Sequence, residues 1–357
     1  MSTDTPGAPD VEVVTDPWSA EQTILCRDDT VGLRAVIAID DTTLGPGFGG
    51  VRYRSYPSTR AAAREAQRLA AAMTLKHALA ELPYGGAKSV VLVRGTPAPP
   101  GSPQRQALFA RFGTMIARTA GTYLPGVDMG TTLADMQTIR DEGGARALCD
   151  EVSPSPYTAR GVWAAMRAAA VHVHGEGGLS GADVVVQGVG SVGAEVARLA
   201  HADGARLTLA DTDSERAAQL ARELDATTIP PEEAPFHPAD IFSPCAVARV
   251  ITRENVPRLG ARIIVGAAND TLDEPGCAID LRSAGVTFVP DFVANAGGVI
   301  QVHGGVTGWS EQETLAAIDR IGERVASLLT TAESQGLTPW ESALQRAGAR
   351  LGRRVDA

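Results

Sequence analysis

Hydrophobic positions recur with two different periods along this chain, and each change of period marks a predicted element. The run Leu33-Arg34-Ala35-Val36-Ile37-Ala38-Ile39 alternates in part and predicts a strand within 30–40. The Ala-rich stretch 60–82 predicts a helix, 89–93 a short buried strand, 104–120 a helix, 123–128 an extended segment and 132–142 another helix. Glycine and proline crowd around Phe48 in 43–50 and recur in 95–103, so both stretches are expected to be loops. The second half opens on a predicted helix at 157–174, followed by a strand at 183–187, a helix at 192–203 and a strand at 206–210 that ends at Asp211. Three more short apolar runs, 240–243, 262–266 and 286–289, each lead into small or polar residues. Strands and helices that alternate in this way predict an α/β fold. Residues 143–156 mix Gly, Pro and Ser with few periodic apolar positions, which places a domain border near 152. The expected division is a flexible tail at 1–18, a first domain at 19–152, a second at 153–330, and a helical segment at 331–357 returning toward the first.

Composition narrows the functional classes. The chain has 357 residues, 44% of them hydrophobic, and no apolar run long enough to span a membrane. Its acidic tail lacks the basic-then-apolar order of a signal peptide, so a cytoplasmic location is expected. The net charge of −10 argues against a nucleic-acid partner. Cys26, Cys149, Cys245 and Cys277 lie far apart and suit reduced thiols. No histidine pair has metal-ligand spacing. His172 and His174, two apart, point to different faces of a helix, and no metal is expected.

Two features carry chemistry. Lys76 closes the first helical stretch, and Lys88 follows Gly85-Gly86-Ala87 in a glycine loop before the next strand. Glycines let backbone and ligand approach closely, and a nearby second cation with partial burial lowers a lysine's pKa. Such a lysine can serve as a general base, the alternative being two solvated surface lysines. The second feature is Gly188-Val189-Gly190-Ser191-Val192-Gly193, a GxGxxG directly after the apolar strand and before a helix. Gly188 permits the tight turn, Gly190 lets a pyrophosphate approach the helix N-terminus, and Gly193 allows close helix–strand packing. Asp211, at the end of the next strand, can accept hydrogen bonds from both adenosine ribose hydroxyls and would repel a 2′-phosphate. The pattern predicts NAD rather than NADP. Asn269 and Asn295, after later strands, are read as nicotinamide or ribose contacts or else as turn caps. Cys245 is read as a packing residue, with no histidine beside it in sequence.

Taken together, these segments resemble the Glu/Leu/Phe/Val dehydrogenase family over about 30–329. The likeness rests on Leu44-Gly45-Pro46 with Gly49-Gly50, Met73-Thr74-Leu75-Lys76, and Leu82-Pro83-Tyr84-Gly85-Gly86-Ala87-Lys88. It continues through Asp128 with Ala134-Asp135-Met136, the glycine loop, Ser243-Pro244-Cys245-Ala246, Gly266-Ala267-Ala268-Asn269 and Asn295-Ala296-Gly297-Gly298. The resemblance implies an N-terminal α/β substrate and oligomerisation domain, a C-terminal NAD-binding Rossmann domain and a cleft between them, in a homo-oligomer. It implies that Lys76, with backbone at Gly49 and Gly50, binds the substrate carboxylate, that Lys88 is the base, and that Asp128 holds the amino group and shuttles a proton. It also places Thr158, Gly188, Gly190, Ser191, Val192, Gly193, Asp211, Cys245, Ala246, Ala268, Asn269 and Asn295 around NAD.

The resemblance further implies a substrate choice. Phe48 stands where the glutamate branch keeps a lysine, and an apolar ring there cannot offset desolvation of a side-chain carboxylate. An apolar amino acid is therefore expected, phenylalanine before leucine or valine. Gly126 is expected to enlarge the pocket, and Phe48, Val299 and Val302 to fill it, with Asn295 also at the substrate. Two departures from the family pattern are the short 143–156 segment and Ala87 in place of a third glycine. The competing readings are a non-catalytic NAD-binding sensor, a tryptophan- or glutamate-type dehydrogenase, and a hydroxy-acid dehydrogenase, which would need a histidine–acid pair that no motif supplies.

Overall fold

A computed structural model of the chain describes residues 19–148, 152–353 and 355. The expected tail, 1–18, and parts of the 143–156 and 331–357 segments lie outside the described residues. Two sheets form the frame. The first half contributes strands β1 (Gln22–Asp28), β2 (Leu33–Asp41), β3 (Gly47–Arg54), β4 (Gly85–Leu92) and β5 (Tyr123–Val127), with helices α1 (Thr59–Leu79), α2 (Pro103–Ala117) and α3 (Leu133–Asp141). Their order in the sheet is β1-β2-β4-β3-β5. The β1–β2 and β2–β4 pairs are antiparallel, while β3 runs parallel to both β4 and β5.

Alternation along β2 explains the three layers of this half. Val36 and Ala38, with Val90 of β4, pack under Ala62, Ala66 and Ala70 of α1. Leu33, Ile37 and Ile39 point to the opposite face and meet Phe109, Phe112 and Ile116 of α2 and Met136 and Ile139 of α3. Each large aliphatic chain so buried stabilises the fold by about 1.5–3 kcal/mol. Helix α1 begins at Ser58, whose side chain accepts from Ala61 N, and it ends with Lys76 and His77 in its last turn.

Two expectations about this half are corrected. Residues 43–50 are not a loop throughout, because Gly47, Phe48, Gly49 and Gly50 belong to β3. Lys88 does not sit in a loop either: β4 starts at Gly85 and carries it. The glycines are close-approach positions here, not punctuation. A Cβ on Gly49 would overlap the Ala87 carbonyl, and one on Gly86 would overlap the Ala70 carbonyl and the Thr74 hydroxyl. Strand β1, which pairs with β2 in register Gln22 to Ile39, had no counterpart among the predicted elements.

The second half holds α4 (Ser155–His174), β6 (Asp183–Gln187), α5 (Ser191–Ala202), β7 (Arg206–Ala210), α6 (Ser214–Glu223), β8 (Thr227–Thr228), β9 (Ala239–Pro244), β10 (Ala261–Ile264), α7 (Cys277–Ser283), β11 (Thr287–Phe288), α8 (Asp291–Ala294), α9 (Gly297–Thr307), α10 (Glu311–Gln335) and α11 (Pro339–Leu351). Its six strands are all parallel in the order β11-β10-β9-β6-β7-β8, the doubly wound arrangement whose order reverses between β6 and β9. Val184 and Val186 face a core shared with Ala165, Ala169, Ile318 and Ile321 of α4 and α10. Val185 faces the other core, with Phe242, Ile264 and Leu281. The expected border at 330 falls inside α10, which runs unbroken to Gln335 and ends at Gly336 in the left-handed conformation. The chain then turns back to the first half: Arg350 donates to Leu82 O at 3.4 Å and Arg353 to Asp41 at 3.0 Å.

Candidate active site

Parallel strands β3, β4 and β5 bring three side chains to one place. Lys88, on β4, is only 7% exposed, and its Nζ lies 3.2 Å from Asp128 Oδ2, just beyond β5. The same Oδ2 accepts from Arg52 Nε of β3 at 2.8 Å. Burial pushes the Lys88 ammonium below the ordinary lysine value, with Asp128 opposing and Arg52 reinforcing. Burial works against the Asp128 carboxylate, but Lys88 and Arg52 outweigh it and hold its pKa below the usual range. Lys76, half-buried at the end of α1, is lowered to about 8, first by burial, against the pull of Asp291 and with a push from Lys88.

The second domain closes over these groups. Lys76 Nζ donates to Asn269 Oδ1 at 3.3 Å, and Asn295 Nδ2 donates to the same oxygen at 2.9 Å and to Ala267 O at 3.1 Å. Asn295 Oδ1 is buried without a hydrogen-bond partner. Asp270, with a left-handed φ of 61°, donates its N–H to Asp291 Oδ2 at 2.9 Å and pairs with Arg68 of α1 at 2.7 Å. Thus Lys76, Lys88, Asp128, Asn269 and Asn295, separate in sequence, are gathered at one cleft.

Phe48 is buried in an aromatic wall. Its ring stacks on His77 at 5.3 Å and meets Tyr84 edge-on at 5.5 Å. Gly126 lies against the Phe48 ring. A Cβ there would come within 3.1 Å of Phe48 Cε2, so the room it leaves holds the Phe48 ring. Gly50 pairs with Gly126 across β3 and β5. The wall continues over the cleft, where Tyr84 Oη lies 3.0 Å from His303 Nδ1 and His303 meets Trp309 at 4.9 Å. Val299 and Val302 are half-buried on the same helix as His303. His77 was missed in the sequence, although it directly follows Lys76. Its Nδ1 lies 2.8 Å from Gly85 O, an acceptor only, so Nδ1 carries the proton. Burial lowers the ring's pKa to about 3 and keeps it neutral.

The glycine loop has the form a dinucleotide requires. Gly188 has φ 91°, and a Cβ there would overlap Ala246, while a Cβ on Gly193 would overlap the Gly188 carbonyl. A Cβ on Gly190 would meet nothing within 4 Å, which leaves open approach to the N-terminus of α5. That helix has no side-chain cap, so Ser191 and Val192 begin it with free N–H groups. Asp211 Oδ2 accepts from Val189 N at 2.7 Å, and Oδ1 accepts from Asp213 N at 2.9 Å and Arg216 at 2.7 Å. Arg216 has no place in the sequence reading; only the first turn of α6 brings it to Asp211. Cys245 N donates to Gln187 O at 2.8 Å, and burial raises its thiol pKa, in keeping with a packing role. Ala268 N donates to Pro244 O at 3.0 Å. Thr158 donates to Pro154 O at 3.0 Å and abuts Gly298. Among the described residues no group of three or more His, Cys, Asp or Glu is placed to hold a metal, and no helix is long and apolar enough to cross a membrane.

Residues 20–145 match the model of the Glu/Leu/Phe/Val dehydrogenase dimerisation domain, and 209–351 match that of Glutamate/Leucine/Phenylalanine/Valine dehydrogenase. The chain is 35% identical to leucine dehydrogenase of Bacillus cereus over 94% of its own length and 92% of the relative's. It is 33% identical to valine dehydrogenase of Streptomyces virginiae, covering 91% of each chain. The crystal structure of L-tryptophan dehydrogenase from Nostoc punctiforme superposes with a TM-score of 0.79 at 31% identity, over 94% of this chain and 96% of that one. Two sheets meeting at a lysine-lined cleft, in a chain whose halves both match, show that it belongs to the Glu/Leu/Phe/Val dehydrogenase family of amino-acid dehydrogenases.

Proposed function

We propose that the chain catalyses the NAD-dependent oxidative deamination of an apolar L-amino acid to its 2-oxo acid and ammonium, and the reverse reductive amination. Phenylalanine is the first substrate candidate, with leucine and valine next. The observation that carries the reading is the meeting of Lys76, Lys88 and Asp128 beside Asn269 and Asn295. The buried Phe48 wall supports an apolar side chain, as do the names of the leucine, valine and tryptophan relatives. The open approach at Gly190, the uncapped α5 and the unpaired Asn295 Oδ1 fit a dinucleotide, and Asp211 favours NAD. A homo-oligomer accords with the dimerisation-domain match, and the net charge of −10 with small-molecule rather than nucleic-acid partners.

Bound NAD supplies the acceptor for the α-hydride. Lys76 pairs with the substrate carboxylate, which favours its charged form. Asp128 takes a proton from the α-ammonium, so that the C=N bond can form as the hydride leaves. Neutral Lys88 takes a proton from the water that adds to the iminium carbon. Asp128 returns its proton to the carbinolamine nitrogen, the C–N bond breaks as the C=O bond forms, the departing ammonia takes the hydroxyl proton and leaves as ammonium, and Lys88 gives up the proton taken from water to solvent once the cleft opens. Closure of the cleft keeps bulk water from these proton transfers.

Spectrophotometric kcat/KM values for NAD reduction with phenylalanine, leucine, valine, tryptophan and glutamate test the reading. The apolar amino acids should exceed glutamate, and Lys88→Ala should lower kcat by about 10²–10⁴-fold. Glutamate as best substrate, or no NAD reduction with any of the five, overturns it.

A further inference from the structure

Arg52 is one of the few charged side chains packed against the Lys88–Asp128 pair, and nothing above gives it a task. Its guanidinium is 12% exposed and has two carboxylate partners. Nε donates to Asp128 Oδ2 at 2.8 Å, and Nη1 to Glu65 Oε1 of α1 at 2.7 Å. Glu65 also receives Arg68 at 2.9 Å, and Arg68 crosses the cleft to Asp270 at 2.7 Å. An unbroken chain of ion pairs therefore runs from Lys88 through Asp128, Arg52, Glu65 and Arg68 to the residue next to Asn269.

We propose that Arg52 is a positioning residue: it takes up part of the Asp128 charge and fixes the carboxylate's rotamer, so that Asp128 orients Lys88 without locking it in the protonated state. The proposal rests on the reading of Lys88 as the base. The physical reason is competition for one oxygen. Asp128 Oδ2 lies between Lys88 Nζ at 3.2 Å and Arg52 Nε at 2.8 Å, and the shorter bond goes to the guanidinium. Had Lys88 sole claim on the carboxylate, a buried, tightly paired ammonium would hold its proton. An arginine suits this role because it stays charged at any working pH.

The other groups facing Lys88 are accounted for. From α1, Glu65 favours its charged form, and Lys76 repels it. Tyr123 of β5 is neutral, burial pushing its pKa above the ordinary tyrosine value, and it bonds Ser89 Oγ at 2.8 Å. Asp291, across the cleft, acts on Lys76 and is opposed by its own burial.

The test uses the full-length protein and reads Lys88 itself. Its acetylation by acetic anhydride, followed across pH by mass spectrometry of the Lys88 peptide and scaled to the high-pH limit, gives a midpoint without needing turnover. In Arg52→Gln that midpoint should move up by about one pH unit, the effect of a lost neighbouring cation. In Glu65→Gln it should move down, because an acid that favours the ammonium has gone. Arg52→Lys keeps the charge and should return the midpoint most of the way, and it carries the test if Arg52→Gln does not fold. The acid limb of kcat/KM for NAD reduction should follow the same shifts. A merely structural Arg52 would lower kcat at every pH and leave the midpoint in place, which overturns the proposal, as would shifts of the same sign in Arg52→Gln and Glu65→Gln. If the midpoints move as stated while no amino acid is oxidised, the electrostatic assignment stands and the proposed reaction falls.

Discussion

Asp211 changes meaning with its neighbours. Read as a lone acid at a strand end, it repels a 2′-phosphate; in the structure its Oδ1 is paired with Arg216 at 2.7 Å. On the NAD reading proposed above, Arg216 would temper that repulsion and would be free to pair with a phosphate once the acid is removed. Asp211→Ser should therefore move the kcat/KM preference from NAD toward NADP, and Asp211→Ser with Arg216→Ala should lose affinity for both cofactors without the shift. Equal discrimination in the single variant and wild type would refute the role of the pair. On the function proposed above, substrate choice would turn on Phe48, because it fills the room beside Gly126 and stacks on His77. Phe48→Ala should raise kcat/KM for tryptophan relative to valine, at a stability cost of about 3–5 kcal/mol. Kinetics with the two substrates, alongside urea unfolding, checks both parts; an unchanged ratio removes Phe48 from the pocket.

At the scale of the element, the contact between α1 and β4 decides the geometry of both lysines. Gly86 lets the strand lie directly on the helix, where Ala70 O and Thr74 leave no room for a methyl group. Gly86→Ala should force the two elements apart, lower the thermal midpoint by several degrees and reduce kcat through misplaced Lys76 and Lys88. Wild-type kcat in a stable variant would contradict that coupling. The same glycines set the limit of what could be read beforehand. The unit β6, α5 and β7 was legible because β-branched residues, glycines and an acid fall in local order. Strand β3 was not, because Gly47, Gly49 and Gly50 have no side chains to show a period, and only their register with β4 and β5 makes them a strand. Strand β1 escaped for another reason: it is an edge with mostly exposed residues, Leu25 among them at 66%, so burial imposed little pattern. At the site, Lys76, Lys88 and Asp128 stood out within glycine-rich or resembling segments. Arg52 did not, because an ion pair to a residue 76 positions away leaves no trace in spacing, and Arg216 did not, because it reaches Asp211 only through the turn into α6.

Over the whole molecule, His77 ties stability to pH. Its folded pKa of about 3 lies below the ordinary value of 6.5, so between these values the unfolded chain binds more protons and stability rises with pH. The contribution is fully present above the unfolded value and drains away as pH falls toward 3, at up to about 1.4 kcal/mol per pH unit. His77→Gln should flatten the fall in unfolding free energy between about pH 6.5 and 5, measured by urea titration, whereas an equal slope would mean that His77 is not the group responsible. The largest consequence comes from a single bond, Lys76 Nζ to Asn269 Oδ1 at 3.3 Å. On the function proposed above, Lys76 would receive the substrate carboxylate and Asn269 the coenzyme, so this bond joins the two sites. Occupation of either partner's site changes what the other has to give up, so the two affinities are thermodynamically linked and each ligand must alter the other's by the same factor. A coenzyme that engages Asn269 would free Lys76 for the carboxylate, so the amino acid should bind more tightly once the coenzyme is present. Calorimetric titration of the amino acid should show weak binding to the free enzyme and tighter binding with NADH present, and Asn269→Ala should narrow that difference by strengthening the first.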